Sequence, residues 1–140
     1  MADKLLEVEI VTPQRIVFSG KAASVSVPGS LSPFQILYNH APIVSSLDYG
    51  LVKIVDENDK DIWYATSAGF TEVRNNNISL LVESAEAVEE IEYESVSGEL
   101  KEARKTLESA TEGHQTEEAE KLIARAENRL KAIEKLRDKN

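Results

Sequence analysis

The chain contains no cysteine. That excludes disulfides, thiol catalysis and cysteine-based metal sites, and it fits a reducing compartment. Glycine is scarce and scattered: Gly20, Gly29, Gly50 and Gly69 stand singly, so there is no glycine-rich loop to cradle a phosphate. No apolar run approaches the roughly 20 residues that span a bilayer. The polar start, Met1 to Lys4, lacks a secretory pattern. The expectation is a chain that reaches a membrane through partners. Basic residues are also in deficit, 16 Lys and Arg against 25 Asp and Glu, for a formal charge of -9. Duplex binding needs clustered cations to displace counterions, so nucleic acid is excluded as the main partner. The two histidines, His40 and His114, leave little for acid–base chemistry.

What is present divides near residue 90. All four prolines (Pro13, Pro28, Pro33, Pro42) lie in the first 42 residues, and every aromatic lies at or before Tyr93. Beyond it the residues are mainly Ala, Glu, Lys, Leu and Arg. Such a change of composition marks two architectures within 140 residues. The first part has the period-two alternation of half-buried strands. Leu6, Val8 and Ile10 alternate with Glu7 and Glu9, and Val25 and Val27 with Ser24 and Ser26. Ile16 and Phe18 share a face, and short apolar runs follow at 34–38, 43–47, 51–55, 62–66, 70–73 and 78–82. Turn signals recur at Ser19-Gly20, Pro28-Gly29-Ser30, Asn39 to Pro42, Asp48 to Gly50, Asp56 to Asp61, Ala68-Gly69 and Asn75-Asn76-Asn77. That spacing predicts an antiparallel β-sandwich or barrel. The acids of 56–61 lack the Gly and bidentate Glu of a calcium loop and read as a solvated hairpin tip.

The second part predicts two helices. Val96, Leu100, Ala103, Leu107 and Ala110 are spaced 4, 3, 4, 3, and Ala119, Ile123, Ala126, Leu130 and Ile133 repeat that pattern. This is the stripe of a narrow helix–helix seam. Gly113 is expected to end the first helix. Thr116 is expected to cap the second, with Glu117 and Glu118 in its first turn. The fold class is therefore α+β: a β-sandwich over 1–88, then an antiparallel helical hairpin over 89–140. An Ala-rich seam brings the helices close but buries little area, so the hairpin is expected to detach or rearrange unless a partner covers it.

No catalytic, cofactor or metal constellation is visible. His40 lies beside Asn39, Ala41 and Pro42, with no Gly-x-Ser-x-Gly elbow in the chain. An interface role suits it better than a catalytic one, and His114 reads as solvated. From Lys121 onward seven bases (Lys121, Arg125, Arg129, Lys131, Lys135, Arg137, Lys139) face three acids. Lys121, Arg125 and Arg129 share a helix face. They form either a solvated face with internal pairs such as Glu127 with Lys131, or a basic stripe for an acidic protein partner.

The order of features resembles the epsilon subunit family of bacterial and chloroplast F-type ATP synthases. Carrying the resemblance are the Leu-Glu-Val-Glu-Ile-Val-Thr-Pro strand (6–13), Val17-Phe18-Ser19-Gly20 and Ser24 to Ser30. Asn39-His40-Ala41-Pro42-Ile43-Val44, Gly50 to Ile54, Ala68-Gly69-Phe70, Leu80-Leu81-Val82 and the Ala-rich hairpin continue it. The resemblance implies a non-catalytic rotor subunit. Its sandwich would dock on the gamma subunit and the c-subunit ring, at the cytoplasmic face of the membrane, through Phe34, Ile36, His40 and Pro42. Its last helix would restrain ATP hydrolysis by bringing Lys121, Arg125, Arg129, Lys131 and Lys135 to acidic segments of the catalytic alpha and beta subunits. Two departures matter. The family's Pro-Gly-His-Ala-Pro turn is Tyr38-Asn39-His40-Ala41-Pro42 here, and Pro33 replaces an acid expected near the c ring. The Ile/Leu-Asp-x-x-Arg-Ala motif with which some relatives bind ATP is Ile91-Glu92-Tyr93-Glu94-Ser95-Val96. Without its Arg, weak or no ATP binding is expected. The rival readings are a generic sandwich adaptor whose tail dimerises as a coiled coil, and a small enzyme using His40.

Overall fold

The computed structural model describes residues 4–111 and 113–139. The chain divides into two compact units, 1–87 and 88–140.

The first unit is a nine-stranded β-sandwich. Its strands are β1 (Leu6–Val11), β2 (Ile16–Val27), β3 (Phe34–Leu37), β4 (Ile43–Leu47), β5 (Gly50–Asp56), β6 (Asp61–Thr66), β7 (Gly69–Arg74), β8 (Asn77–Val82) and β9 (Ala85–Ala87). They pair in the order β4-β7-β8-β1-β2-β5-β6-β9, with β3 also on β2. The runs predicted by alternation are strands, and two features differ from expectation. Ser19-Gly20 is no turn: it lies inside the 12-residue β2. The first half of β2 pairs with β1. Its second half pairs with β3 and β5 after a bulge between Ala22 and Ser24, the device by which a strand bends. β2 thus belongs to both layers. The β1–β8 ladder is parallel, with Val8 opposite Ile78 and Ile10 opposite Leu80, so the sandwich is mixed where an antiparallel one was expected.

Inward-facing side chains of both layers build the core. Leu6, Ile10, Val25, Ile36, Val52, Ile54 and Leu80 are fully buried, each stabilising the fold by roughly 1.5–3 kcal/mol relative to exposure. The turns follow local chemistry. Asn75 and Asn76 both have positive φ (50° and 63°) and close the two-residue β7–β8 hairpin, a geometry that Asn tolerates. In the β5–β6 tip the Asp56 carboxylate accepts the Asn58 and Lys60 N–H groups at 2.8 and 2.9 Å. The acid builds its own turn.

The second unit opens with a 3-10 turn at Val88–Glu90 and continues as α1 (Tyr93–Ser109) and α2 (Gly113–Lys139). Ion pairs of Glu99 with Arg129 and of Arg104 with Glu127 join the helices. Numbers rise along one helix as they fall along the other, so the pair is antiparallel. Val96, Leu100, Ala103, Ala119 and Ala126 of the predicted stripes are buried, and Ala132 joins them. The predicted caps are displaced. α1 ends at Ser109, with Ala110 extended and its N–H on the Leu107 carbonyl at 3.3 Å. Gly113 is the first residue of α2, so Thr116 lies inside the helix. His114 and Gln115 continue the helix, with no proline among the described residues there to halt it.

Candidate functional site

Three groups of residues are candidates for partner contact. The first is the turn after β3. Asn39 adopts φ 64°, the left-handed region that asparagine enters more readily than most non-glycine residues. A reciprocal amide pair holds it: the Asn39 N–H donates to Asn76 Oδ1 at 2.6 Å, and Asn76 Nδ2 donates to Asn39 Oδ1 at 3.2 Å. This clamp ties the turn to the β7–β8 hairpin. His40 Nδ1 donates to the Ala41 carbonyl at 2.7 Å, which fixes the ring with Nε2 as its other polar atom. The ring lies 6.4 Å from Phe34, and Pro42 is exposed beside it. The structure therefore brings Phe34, His40 and Pro42 together. Ile36 is a correction: it is fully buried in the core, because β3 alternates and sends Ile36 inward while Leu37 faces out. It offers no surface to a partner.

The second group escaped the sequence reading. On the outer face of the sandwich, ladder registers align Ser46 with Phe70, Phe70 with Leu81, Leu81 with Val11, and Val11 with Ile16. Phe70, Leu81 and Ile16 are 57%, 48% and 58% exposed. Val44, on the same face of β4 two residues before Ser46, is 70% exposed. Pro13, Ala68 and Val82 extend the apolar lining of the groove along this row. A cross-strand apolar row with water on it marks an interaction surface. The available signal was phase: Phe70 precedes the buried Thr71, and Leu81 sits between the buried Leu80 and Val82.

The third group is the basic face of α2. Lys121, Arg125, Lys131 and Lys135 are exposed. Arg129 departs from the expected stripe: it is 9% exposed and turned into the helix seam, with Nη1 donating to Glu99 Oε2 at 2.6 Å. Four-residue steps drift around a helix, and by Arg129 the drift has carried the side chain from the outer face to the seam. Glu127, the expected partner of Lys131, instead meets Arg104 at 3.9 Å. At the degenerate ATP motif, Glu92 precedes α1 in extended conformation without a side-chain cap. Arg125 lies in a groove with Gly98, Glu99, Glu102 and Leu122, where two carboxylates oppose an anionic ligand. Among the described residues no cluster of three or more His, Cys, Asp or Glu is placed to hold a metal, and no helix is long and apolar enough to cross a membrane.

The family model for the "ATP synthase, Delta/Epsilon chain, beta-sandwich domain" matches residues 5–100. The chain belongs to the ATP synthase delta/epsilon family. It is 34% identical to the chloroplastic ATP synthase epsilon chain of Pelargonium hortorum, over 89% of this chain and 92% of that one. It is 41% identical to the epsilon chain of Pelotomaculum thermopropionicum, over 66% and 68%. The fold is similar to a chain in the Euglena gracilis mitochondrial ATP synthase, solved with OSCP, F1 and c-ring, at a TM-score of 0.76 and 20% identity, covering 89% and 79% of the two chains. The match to the Pelargonium hortorum chain, over 89% of this chain, reaches into the hairpin as well as the sandwich, while the family model ends within α1.

Proposed function

We propose that this chain is a non-catalytic rotor subunit of a proton-translocating F-type ATP synthase, transmitting rotation of the membrane ring to the catalytic head. Membership of the epsilon family supports it, as does a fold match to a chain described with the Tetrahymena thermophila mitochondrial ATP synthase central stalk and c-ring (TM-score 0.61). The observation that carries it at the level of residues is the cross-strand row of exposed Ile16, Leu81 and Phe70 with half-buried Val11 among them. An apolar strip of this kind is stable in water when a partner covers it. The gamma subunit is assigned to that strip, and the turn carrying Phe34, His40 and Pro42 faces gamma or the c ring. The protein then sits peripherally at the cytoplasmic face of the membrane, held there by its partners.

The hairpin is the regulatory element. Its exposed cations Lys121, Arg125, Lys131 and Lys135 suit acidic segments of the catalytic subunits, and engagement there restrains ATP hydrolysis. ATP itself is a poor ligand, because Ser95 replaces the phosphate-binding Arg and Glu99 and Glu102 flank Arg125. Truncation after Glu90 separates the two roles. The truncated chain is expected to co-purify with gamma and to change ATP hydrolysis by the assembled complex. Loss of gamma binding on truncation would refute this division of labour. A tight homodimer through 95–137 in analytical ultracentrifugation would favour the coiled-coil adaptor instead.

A further inference from the structure

The apolar row of Phe70, Leu81, Val11 and Ile16 has an acidic neighbour. Two residues away along β7, β8 and β1, the ladder registers align Val44 with Glu72, Glu72 with Ser79, Ser79 with Glu9, and Glu9 with Ser19. Directly opposed residues share a face of a sheet, so this second row lies on the same outer face, about 7 Å from the first. Glu72 is exposed and Glu9 half-buried. Ser79 Oγ donates to Glu9 Oε1 at 3.1 Å, a bond that orients the carboxylate without neutralising it. No ion pair among the described residues reaches either acid. The cations of this face lie one row further out, where Arg74 opposes Asn77, Asn77 opposes Glu7, and Glu7 opposes Lys21. A groove of about 350 Å³ opens between these two polar rows, with Glu7, Glu9, Ser19, Lys21, Asn77 and Ser79 in its lining.

We propose that Glu9 is the specificity-determining acid of this docking face, and that the partner covering the Phe70 row places an arginine or lysine in the groove beside it, one row from its own apolar strip. This rests on the reading of the Phe70 row as the contact with gamma. A body that covers that row also takes water from the row beside it. A carboxylate stripped of water is strongly penalised unless a cation meets it. The apolar row by itself fits a partner in several sideways positions, since hydrophobic contact carries no direction. One fixed charge beside it selects a single register and turns away acidic surfaces. Ser79 is a positioning residue that acts through Glu9, and Glu72 continues the negative edge two strands away.

The test titrates the full-length protein with gamma by calorimetry over a range of ionic strength. Glu9→Gln keeps the size of the side chain, and its ability to accept from Ser79, and removes its charge. It is expected to weaken binding about tenfold at low salt, with the deficit shrinking as salt is raised. Glu57→Gln makes the same change of net charge at the exposed β5–β6 tip and is expected to bind within about twofold of wild type. Phe70→Ala reports the apolar row independently. Weakened binding by Phe70→Ala, with Glu9→Gln at or above wild-type affinity, overturns the acid contact and leaves the gamma reading of the row intact. A Glu9→Gln deficit that salt does not reduce, or that Glu57→Gln shares, overturns it equally, because packing or overall charge then accounts for the loss. Wild-type affinity in both Phe70→Ala and Glu9→Gln overturns the row's assignment to gamma and the acid contact together.

Discussion

Replacing Phe70 by Ala tests the outer-face row most directly. The ring is 57% exposed, and an aromatic side chain covers about 150–250 Å² when buried. Roughly 100 Å² is therefore free for a partner to cover, and at ~25 cal/mol per Å² its loss weakens docking by ~2.5 kcal/mol, or roughly 50-fold in Kd. The isolated chain loses about 1 kcal/mol or less, because Phe70 points away from the core that Thr71 and Val73 enter. Calorimetric titration of the full-length variant with gamma measures the first quantity, and urea unfolding of the free chain measures the second. An apolar contact is screened little by salt, so the loss should persist when ionic strength is raised. A folded Phe70→Ala protein that binds gamma within about threefold of wild type would refute the assignment of this row to gamma.

Thr71 is fully buried with no hydrogen-bond partner for its hydroxyl. Thr71→Val keeps the shape and removes the unpaired polar atom, so the free energy of unfolding from urea titration is expected to rise by about 1 kcal/mol, and a fall would show that the hydroxyl is satisfied. Gly69→Ala should lose ~2 kcal/mol or more, since a Cβ there would lie 2.2 Å from the Leu81 carbonyl oxygen and 2.9 Å from Val82 Cγ1; a wild-type urea midpoint would contradict that close approach. Calorimetry with ATP should register no micromolar binding, and a micromolar Kd would show that Arg125 and its neighbours replace the missing motif Arg.

Most of the secondary structure was legible because strand and helix periods act locally. Val8 and Ile10, or Val96 and Leu100, declare their faces through neighbours two or four residues away. Features that depend on distant pairing were not. The parallel β1–β8 ladder joins segments about 70 residues apart, as Ser79 Oγ bonding to Glu9 at 3.1 Å illustrates, and no local pattern encodes it. Ser19-Gly20 resembled a turn, yet Gly20 lies opposite Val8 in the ladder, and a Cβ there would come within 3.2 Å of the Phe18 ring. A glycine inside a strand marks such crowding as readily as it marks a bend. In the candidate site, Phe34, His40 and Pro42 were recognisable by type. Ile36 was not separable from Leu37, since alternation alone does not say which face is inside. Phe70 and Leu81 became a continuous strip once the ladder registers were known. Arg129 sits beside Leu130 at the margin of the apolar stripe, where charge argues for solvent and geometry places it in the seam.

β2 has a mechanical consequence. Two sheets held together by side-chain packing alone slide when sheared, since dispersion contacts are individually weak and carry no direction. Here one unbroken length of peptide, Ile16–Val27, runs through both sheets. A load entering at the Phe70 side travels across the β7, β8 and β1 ladders and passes through covalent bonds at Ala22–Ser24 to the opposite sheet. The body resists twisting as a stitched laminate does, a stiffness suited to a component that turns with a shaft.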